Sequence, residues 1–168
     1  LAPGENLRLA HCRADVANAT AEIQGTSDAL MGTLAIQNRD SLPCDLTGRP
    51  SLALRDADGR LLVLEEDVLD LGSAPDTAIV APGVTAAAPF RWANWCAGSP
   101  SPPLTLVITF PANGGALDVS LPTARGARQD DSPGCEAPAA PSTLAVGAFA
   151  VRRDDARAPA QGLLIPAT

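Results

Sequence analysis

This chain has no lysine, no tyrosine, a single histidine (His11) and only 3% aromatic residues. A GC-rich coding bias suits the first two absences, and each shortage narrows the functions open to the chain. With one imidazole, the usual acid–base and nucleophile repertoire is thin. A Ser-His-Asp hydrolase would have to recruit His11, and no nucleophile-elbow pattern is present. All 12 basic residues are arginine, against 19 acidic ones, giving a net charge of −7 and a pI of about 4.5. Binding to a phosphate backbone needs a positive face, and docking on anionic lipid needs a basic cluster. Nucleic acid and a lipid surface are therefore not expected partners. No apolar run is long enough to cross a bilayer. The chain opens on Leu1-Ala2-Pro3-Gly4-Glu5 without Met, and the expectation is a removed leader or lipid anchor.

What the chain does have is punctuation: 16 Pro and 14 Gly, too dense for long helices and suited to short strands joined by turns. Hydrophobic residues make up 46%, chiefly Ala and Leu, so two Trp and three Phe are the only large core fillers. Val16–Ile23 and Ala29–Ile36, split by the turn cluster Gln24–Asp28, read as an antiparallel hairpin. Ser51–Arg55 and Leu61–Leu64 flank Asp56-Ala57-Asp58-Gly59 and read as a second hairpin. Glu65–Thr77 reads as irregular, with one helical turn possible at Glu66–Leu71. Val84–Trp92 reads as a strand with Phe90 and Trp92 on one face by period two. Leu104–Phe110, Asn113-Gly114-Gly115 and Ala116–Leu121 form a third hairpin signal. Thr123–Pro141 reads as a long loop pinned by Cys135, Thr143–Val151 as a last strand, and Arg152–Thr168 as a tail with Leu163–Ile165 available for docking. Residues 1–151 are thus expected to form one domain and 152–168 its tail. Strands at this spacing, with no sustained period of 3.6, predict an all-β antiparallel sandwich.

Cys12, Cys44, Cys96 and Cys135 are even in number and widely spaced, on predicted loops between apolar runs. They read as two disulfides in an oxidising compartment. Of three possible connectivities, chain geometry favours Cys12–Cys44, brought together by the first hairpin, and Cys96–Cys135, joining the exit of the Trp92 strand to the approach of the last one. Each would close a loop of tens of residues, worth roughly 3–4 kcal/mol in the chain-entropy account. Zinc sites bring ligands in close sequence pairs, which these four do not form, so no metal is expected.

The segment Cys44-Asp45-Leu46-Thr47-Gly48-Arg49-Pro50 resembles the Cys-x-Leu-x-Gly-aromatic-Pro signature of the DUF4232 family. Asn38 ahead of it, the Asp58-Gly59 turn, Pro82-Gly83-Val84-Thr85-Ala86, Trp92-Ala93-Asn94-Trp95-Cys96 and Cys135 with Pro141-Ser142-Thr143-Leu144 fit the same pattern. Arg49 departs from it where an aromatic is usual. The resemblance spans roughly Cys12–Val151. It implies a secreted or lipid-anchored bacterial protein with an immunoglobulin-like sandwich, and it implies no catalytic residues.

Three further features carry candidate chemistry. Asp56-Ala57-Asp58-Gly59 resembles the start of a calcium loop, but Arg60 follows and Glu65 and Glu66 arrive too early for a distal ligand. It reads instead as turn chemistry. Trp95 is the candidate ligand contact, as a sugar-stacking face. It is out of phase with Trp92 and next to Cys96, so packing on the disulfide competes with that role. Asn18-Ala19-Thr20 is a glycosylation sequon, read as strand surface. The expected role is non-catalytic and cofactor-free: an extracellular or cell-surface module that binds a protein or glycan. The alternatives are a structural subunit that self-associates through edge strands and tail, and a hydrolase acting through His11.

Overall fold

The computed structural model describes residues 9–25, 29–69, 77–98, 100–121 and 132–152. They form twelve strands: β1 (Ala10–His11), β2 (Ala17–Gly25), β3 (Ala29–Asn38), β4 (Cys44–Thr47), β5 (Ser51–Arg55), β6 (Glu65–Val68), β7 (Thr77–Val80), β8 (Thr85–Ala93), β9 (Thr105–Thr109), β10 (Ala116–Ser120), β11 (Thr143–Val146) and β12 (Ala150–Val151). Two three-residue 3₁₀ turns, Ala14–Val16 and Pro111–Asn113, are the helical elements among the described residues. The strands build sheets ordered β1-β4-β7, β10-β9-β5 and β2-β3-β8-β11-β6, with β12 also on β8. Pairing is antiparallel apart from two edge pairs, β1 with β4 and β6 with β11, which are parallel.

Period-two burial explains why these segments are strands. On β8, Ala86, Ala88, Phe90 and Trp92 are each at most 1% exposed, while the residues between them face outward. Leu52 and Leu54 on β5, Leu106 and Ile108 on β9, Leu46 on β4 and Val80 on β7 repeat the pattern. These inward rows meet in one hydrophobic core shared by all three sheets, the layering of a β-sandwich.

The first hairpin is present and longer than predicted, with Ala17 opposite Asn38 and Gly25 opposite Leu30. Its turn residues 26–28 lie outside the described residues. Gly32 on β3 lies opposite Phe90, and a Cβ there would come within 2.3 Å of the Phe90 ring and 2.7 Å of the Glu22 carbonyl oxygen. The absent side chain makes room for the ring. Gly32→Ala is expected to cost about 2 kcal/mol through overpacking, measured by chemical denaturation. A neutral result would show that Phe90 finds another rotamer without loss.

Four segments differ from the sequence expectation. Leu61–Leu64 is not a full hairpin partner of β5. Only an Arg55–Leu61 bridge and the Leu62 amide on the Leu54 carbonyl (2.9 Å) hold it there, because the chain then leaves for the other sheet. The open edge of β5 pairs with β9 instead. The residues 66–68 predicted as helical form strand β6, anchored on β11 by Glu65 N–H to the Ser142 carbonyl (2.9 Å) and Leu69 N–H to the Val146 carbonyl (3.0 Å). That partner lies far along the chain, and local composition carries no sign of it. Cys44, expected in a loop, opens β4.

The predicted last strand is two, β11 and β12. Residues 147–149 oppose only Ala88 and Pro89 of β8, as the shift from the Val146–Phe90 pair to the Ala150–Ala87 pair shows. This is a bulge, and it sits at Pro89, whose carbonyl accepts from Gly147 N–H at 2.8 Å but whose nitrogen has no proton to return. The extra residue returns Phe149 to the core face at 1% exposure. Pairing continues to Arg152, whose N–H reaches the Thr85 carbonyl at 2.9 Å. The tail from 153 on, with Leu163–Ile165, lies outside the described residues, as do residues 123–131 of the predicted long loop.

Candidate functional site

Both expected disulfides are present, Cys12–Cys44 with a Cα–Cα distance of 4.8 Å and Cys96–Cys135 with 4.6 Å. Their surroundings differ. Cys12 and Cys44 are 4% and 7% exposed and belong to the core, where they tie β1 to β4. Cys96 and Cys135 are exposed.

The buried disulfide sets the geometry around His11. Cys12 N–H donates to the Asp45 carbonyl (2.8 Å), which fixes the parallel register of β1 on β4 and places His11 opposite Asp45. The His11 ring meets Asp45 Oδ1 through Nδ1 at 2.7 Å, and the Thr47 hydroxyl donates to the same oxygen at 3.0 Å. The His11 side chain is 55% exposed and that of Asp45 13%. A hydrolytic triad needs a hydroxyl on the other ring nitrogen; among the described residues no hydroxyl hydrogen-bonds the His11 ring.

The segment Ala10–Asp15 stands as a ridge between two clefts. The larger, about 660 Å³, separates it from the turn between β9 and β10 and is lined by His11, Arg13, Asp15 and Asn113 among others. The smaller, about 370 Å³, lies on the other side and shares His11 and Arg13, with Leu42 and Pro43 opposite. Arg13 is held by Asp15 at 2.9 Å. The ridge and the turn are locked together by Ala14 N–H on the Gly114 carbonyl (2.8 Å). Gly114 is required by this approach: a Cβ there would lie 2.4 Å from the Cys12 carbonyl oxygen. Just before it, Ala112 and Asn113 take positive φ of 58° and 59°. That is uncommon for residues other than glycine and is compatible with a tight floor to the cleft.

The other candidates sort differently. Trp92 is fully buried, as expected, and donates from its indole N–H to the Ser142 hydroxyl at 3.0 Å. Trp95 is 9% exposed, edge-on to Trp92 at 5.4 Å, with its N–H on the Gly98 carbonyl at 3.0 Å. It has no open face to stack on a sugar, because the core has taken it up beside Trp92. Asp56 is 9% exposed, and its Oδ1 accepts the amides of Asp58 and Arg60, each at 2.9 Å. Asp58 accepts from the Ser101 hydroxyl at 3.0 Å. These carboxylates serve the turn. Asn18 sits exposed on β2.

Two asparagines organise loops, and sequence reasoning gave them no role. Asn38, 2% exposed, donates to the carbonyls of Leu42 and Val80 (2.9 Å each) and accepts from Asp40 N–H (2.8 Å). Asn94 takes φ 60° at the end of β8. Its Oδ1 accepts Glu136 N–H (3.0 Å) and Ala137 N–H (2.9 Å), and its Nδ2 donates toward the carbonyls of Ala137, Ala140 and Pro141 at 2.9, 3.1 and 3.3 Å. For Asn94 the available signal was an Asn at a strand end two residues before a cysteine, since Asn tolerates the left-handed region.

Among the described residues no helix is long and apolar enough to cross a membrane. Two disulfides in one domain fit an oxidising, extracytoplasmic environment. No curated protein and no solved structure matches the chain. A family model described as "Domain of unknown function (DUF4232)" matches residues 12–150. That match spans most of the 168 residues and both disulfides, and the chain belongs to the DUF4232 family.

Proposed function

We propose that this chain is a non-catalytic recognition module, secreted or held at the cell surface, that binds a protein or glycan partner through the ridge at Ala10–Asp15. The observation that carries the reading is the pair of clefts sharing His11 and Arg13. Binding sites are concave and use a few well-placed polar groups. Here Asp45 orients the imidazole, Asp15 orients the guanidinium, and the buried Cys12–Cys44 bond holds the backbone beneath them. With Trp95 in the core, contact with a glycan would run through these polar groups and the aliphatic walls. The immunoglobulin-like scaffold implied by the family resemblance belongs to this reading. Its support is the packing of the sheets around a buried central tryptophan.

The test is a glycan array and an extracellular-protein array probed with the wild type and with His11→Ala/Arg13→Ala, both verified as folded by circular dichroism. The expected result is at least one retained partner whose affinity falls about tenfold or more in the variant, a change of about 1.4 kcal/mol. Absence of any partner, or a partner indifferent to the variant, overturns the reading. The assembly alternative has its own observation: Leu61 and Val63, 63% and 88% exposed, point outward where the chain crosses between sheets beside edge strand β6. Concentration-dependent dimers in sedimentation equilibrium that vanish in Leu61→Ser/Val63→Ser would favour it.

A further inference from the structure

The two disulfides close loops of similar length, with sequence separations of 32 and 39, yet they sit in opposite surroundings. Cys12–Cys44 lies in the core at 4% and 7% exposure, with Cys44 at the wall of the smaller cleft, so a thiolate in solution meets far less of it. Cys96 and Cys135 are both exposed. The segment that Cys135 would be expected to pin is also held by other means. Asn94, two residues before Cys96, grips residues 136–141 with its whole carboxamide: the oxygen takes two backbone amides and the nitrogen addresses three carbonyls. Its Oδ1 also lies 3.4 Å from the Cys96 sulfur, so the covalent and the hydrogen-bonded fastenings are side by side. Ser142, the next residue, is fixed separately by its hydroxyl on the Ala93 carbonyl at 2.8 Å and by the Trp92 indole. Residues 136–142 therefore have hydrogen-bonded fastenings besides the sulfur–sulfur bond.

We propose that Cys96–Cys135 is a thiol–disulfide exchange site, a place where the domain takes up a small thiol covalently without unfolding. The co-reactant is a low-molecular-weight thiol. Its thiolate attacks one of the two exposed sulfurs, a new S–S bond forms to that cysteine, and the Cys96–Cys135 bond breaks. The other cysteine leaves as a thiolate and takes a proton from water. A second thiol molecule can then attack the mixed disulfide, releasing the small-molecule disulfide and leaving the dithiol, so that two thiols are oxidised for each protein disulfide reduced.

The test uses the full chain in native buffer with 2-mercaptoethanol as the probe, quenched with iodoacetamide and read by peptide mass. Cys96 and Cys135 are expected to become labelled at least tenfold faster than Cys12 and Cys44. The near-ultraviolet circular dichroism of Trp92 and Trp95 should not change. In the reduced protein, hydrogen exchange at the Glu136 and Ala137 amides should stay within about threefold of the oxidised protein. Equal labelling of all four cysteines, labelling of Cys12 or Cys44 first, or loss of protection at Ala137 on reduction overturns the proposal. Asn94→Asp keeps the acceptor oxygen and loses the donor, and Asn94→Ala removes both. Protection at Ala137 after reduction is expected to fall in the order wild type, Asn94→Asp, Asn94→Ala. Should Asn94→Ala not fold, the wild-type and Asn94→Asp measurements decide the matter without it.

Discussion

Trp92→Ala is expected to be the most damaging single substitution in the domain, with a loss of about 4 kcal/mol in guanidinium denaturation. Trp92 is fully buried on β8, between Leu30 of β3 on one side and Leu144 of β11 on the other. Strand β8 pairs with both neighbours, so the cavity would open at the centre of the largest sheet. In a chain with two Trp and three Phe, few large side chains can move in to fill it. The substitution also removes the edge-on partner of Trp95 and the donor to Ser142. Total stabilities of about 5–15 kcal/mol are usual, so the variant would lie near the limit of folding. Trp92→Phe keeps most of the ring and loses the indole N–H, and about 2 kcal/mol is expected for it. A loss below about 2 kcal/mol for the alanine variant would mean that Trp95 swings into the space.

Removal of the buried disulfide, a double substitution, is expected to cost at least as much. In the chain-entropy account, Cys12→Ala/Cys44→Ala and Cys96→Ala/Cys135→Ala each release about 4 kcal/mol of constraint on the unfolded chain, because the loops are of similar length. The folded state separates them. Cys12 and Cys44 are core residues, and two buried sulfurs are lost with the first pair. Strand β1 is only two residues long and would keep just its ladder bonds and the His11–Asp45 contact. The first double variant is expected to be about 1 kcal/mol less stable than the second, a difference of about 2–4 °C in Tm for a domain of this size. Equal Tm values would show that burial of the first disulfide adds nothing to its cross-link.

Much of the fold was legible because period-two burial is a local signal. Phe90 and Trp92 share a face in the sequence and in the structure, as do Leu106 and Ile108. What escaped was set by distant partners. Glu65–Val68 is acidic and exposed along its whole length, and becomes a strand only because β11 offers a free edge. The break between β11 and β12 depends on Pro89 in a different strand. For the candidate site, His11 was visible as the only imidazole, but its pairing with Asp45 required β1 to lie parallel to β4. Trp95 was weighed for a surface role. Its neighbour Asn94 turns out to hold the adjoining loop, a role that depends on five backbone groups lying far along the chain.

The sequence by itself determined an all-β domain with two named disulfides, an acidic surface and family membership across residues 12–150. Alternation, turn residues and cysteine spacing are properties of neighbouring positions, and they survive in a string of letters. Only the tertiary structure decided that one disulfide is core and the other surface, that Trp95 faces inward, and that His11 and Arg13 share two clefts. Burial depends on which strands cover a residue, and those strands come from other parts of the chain.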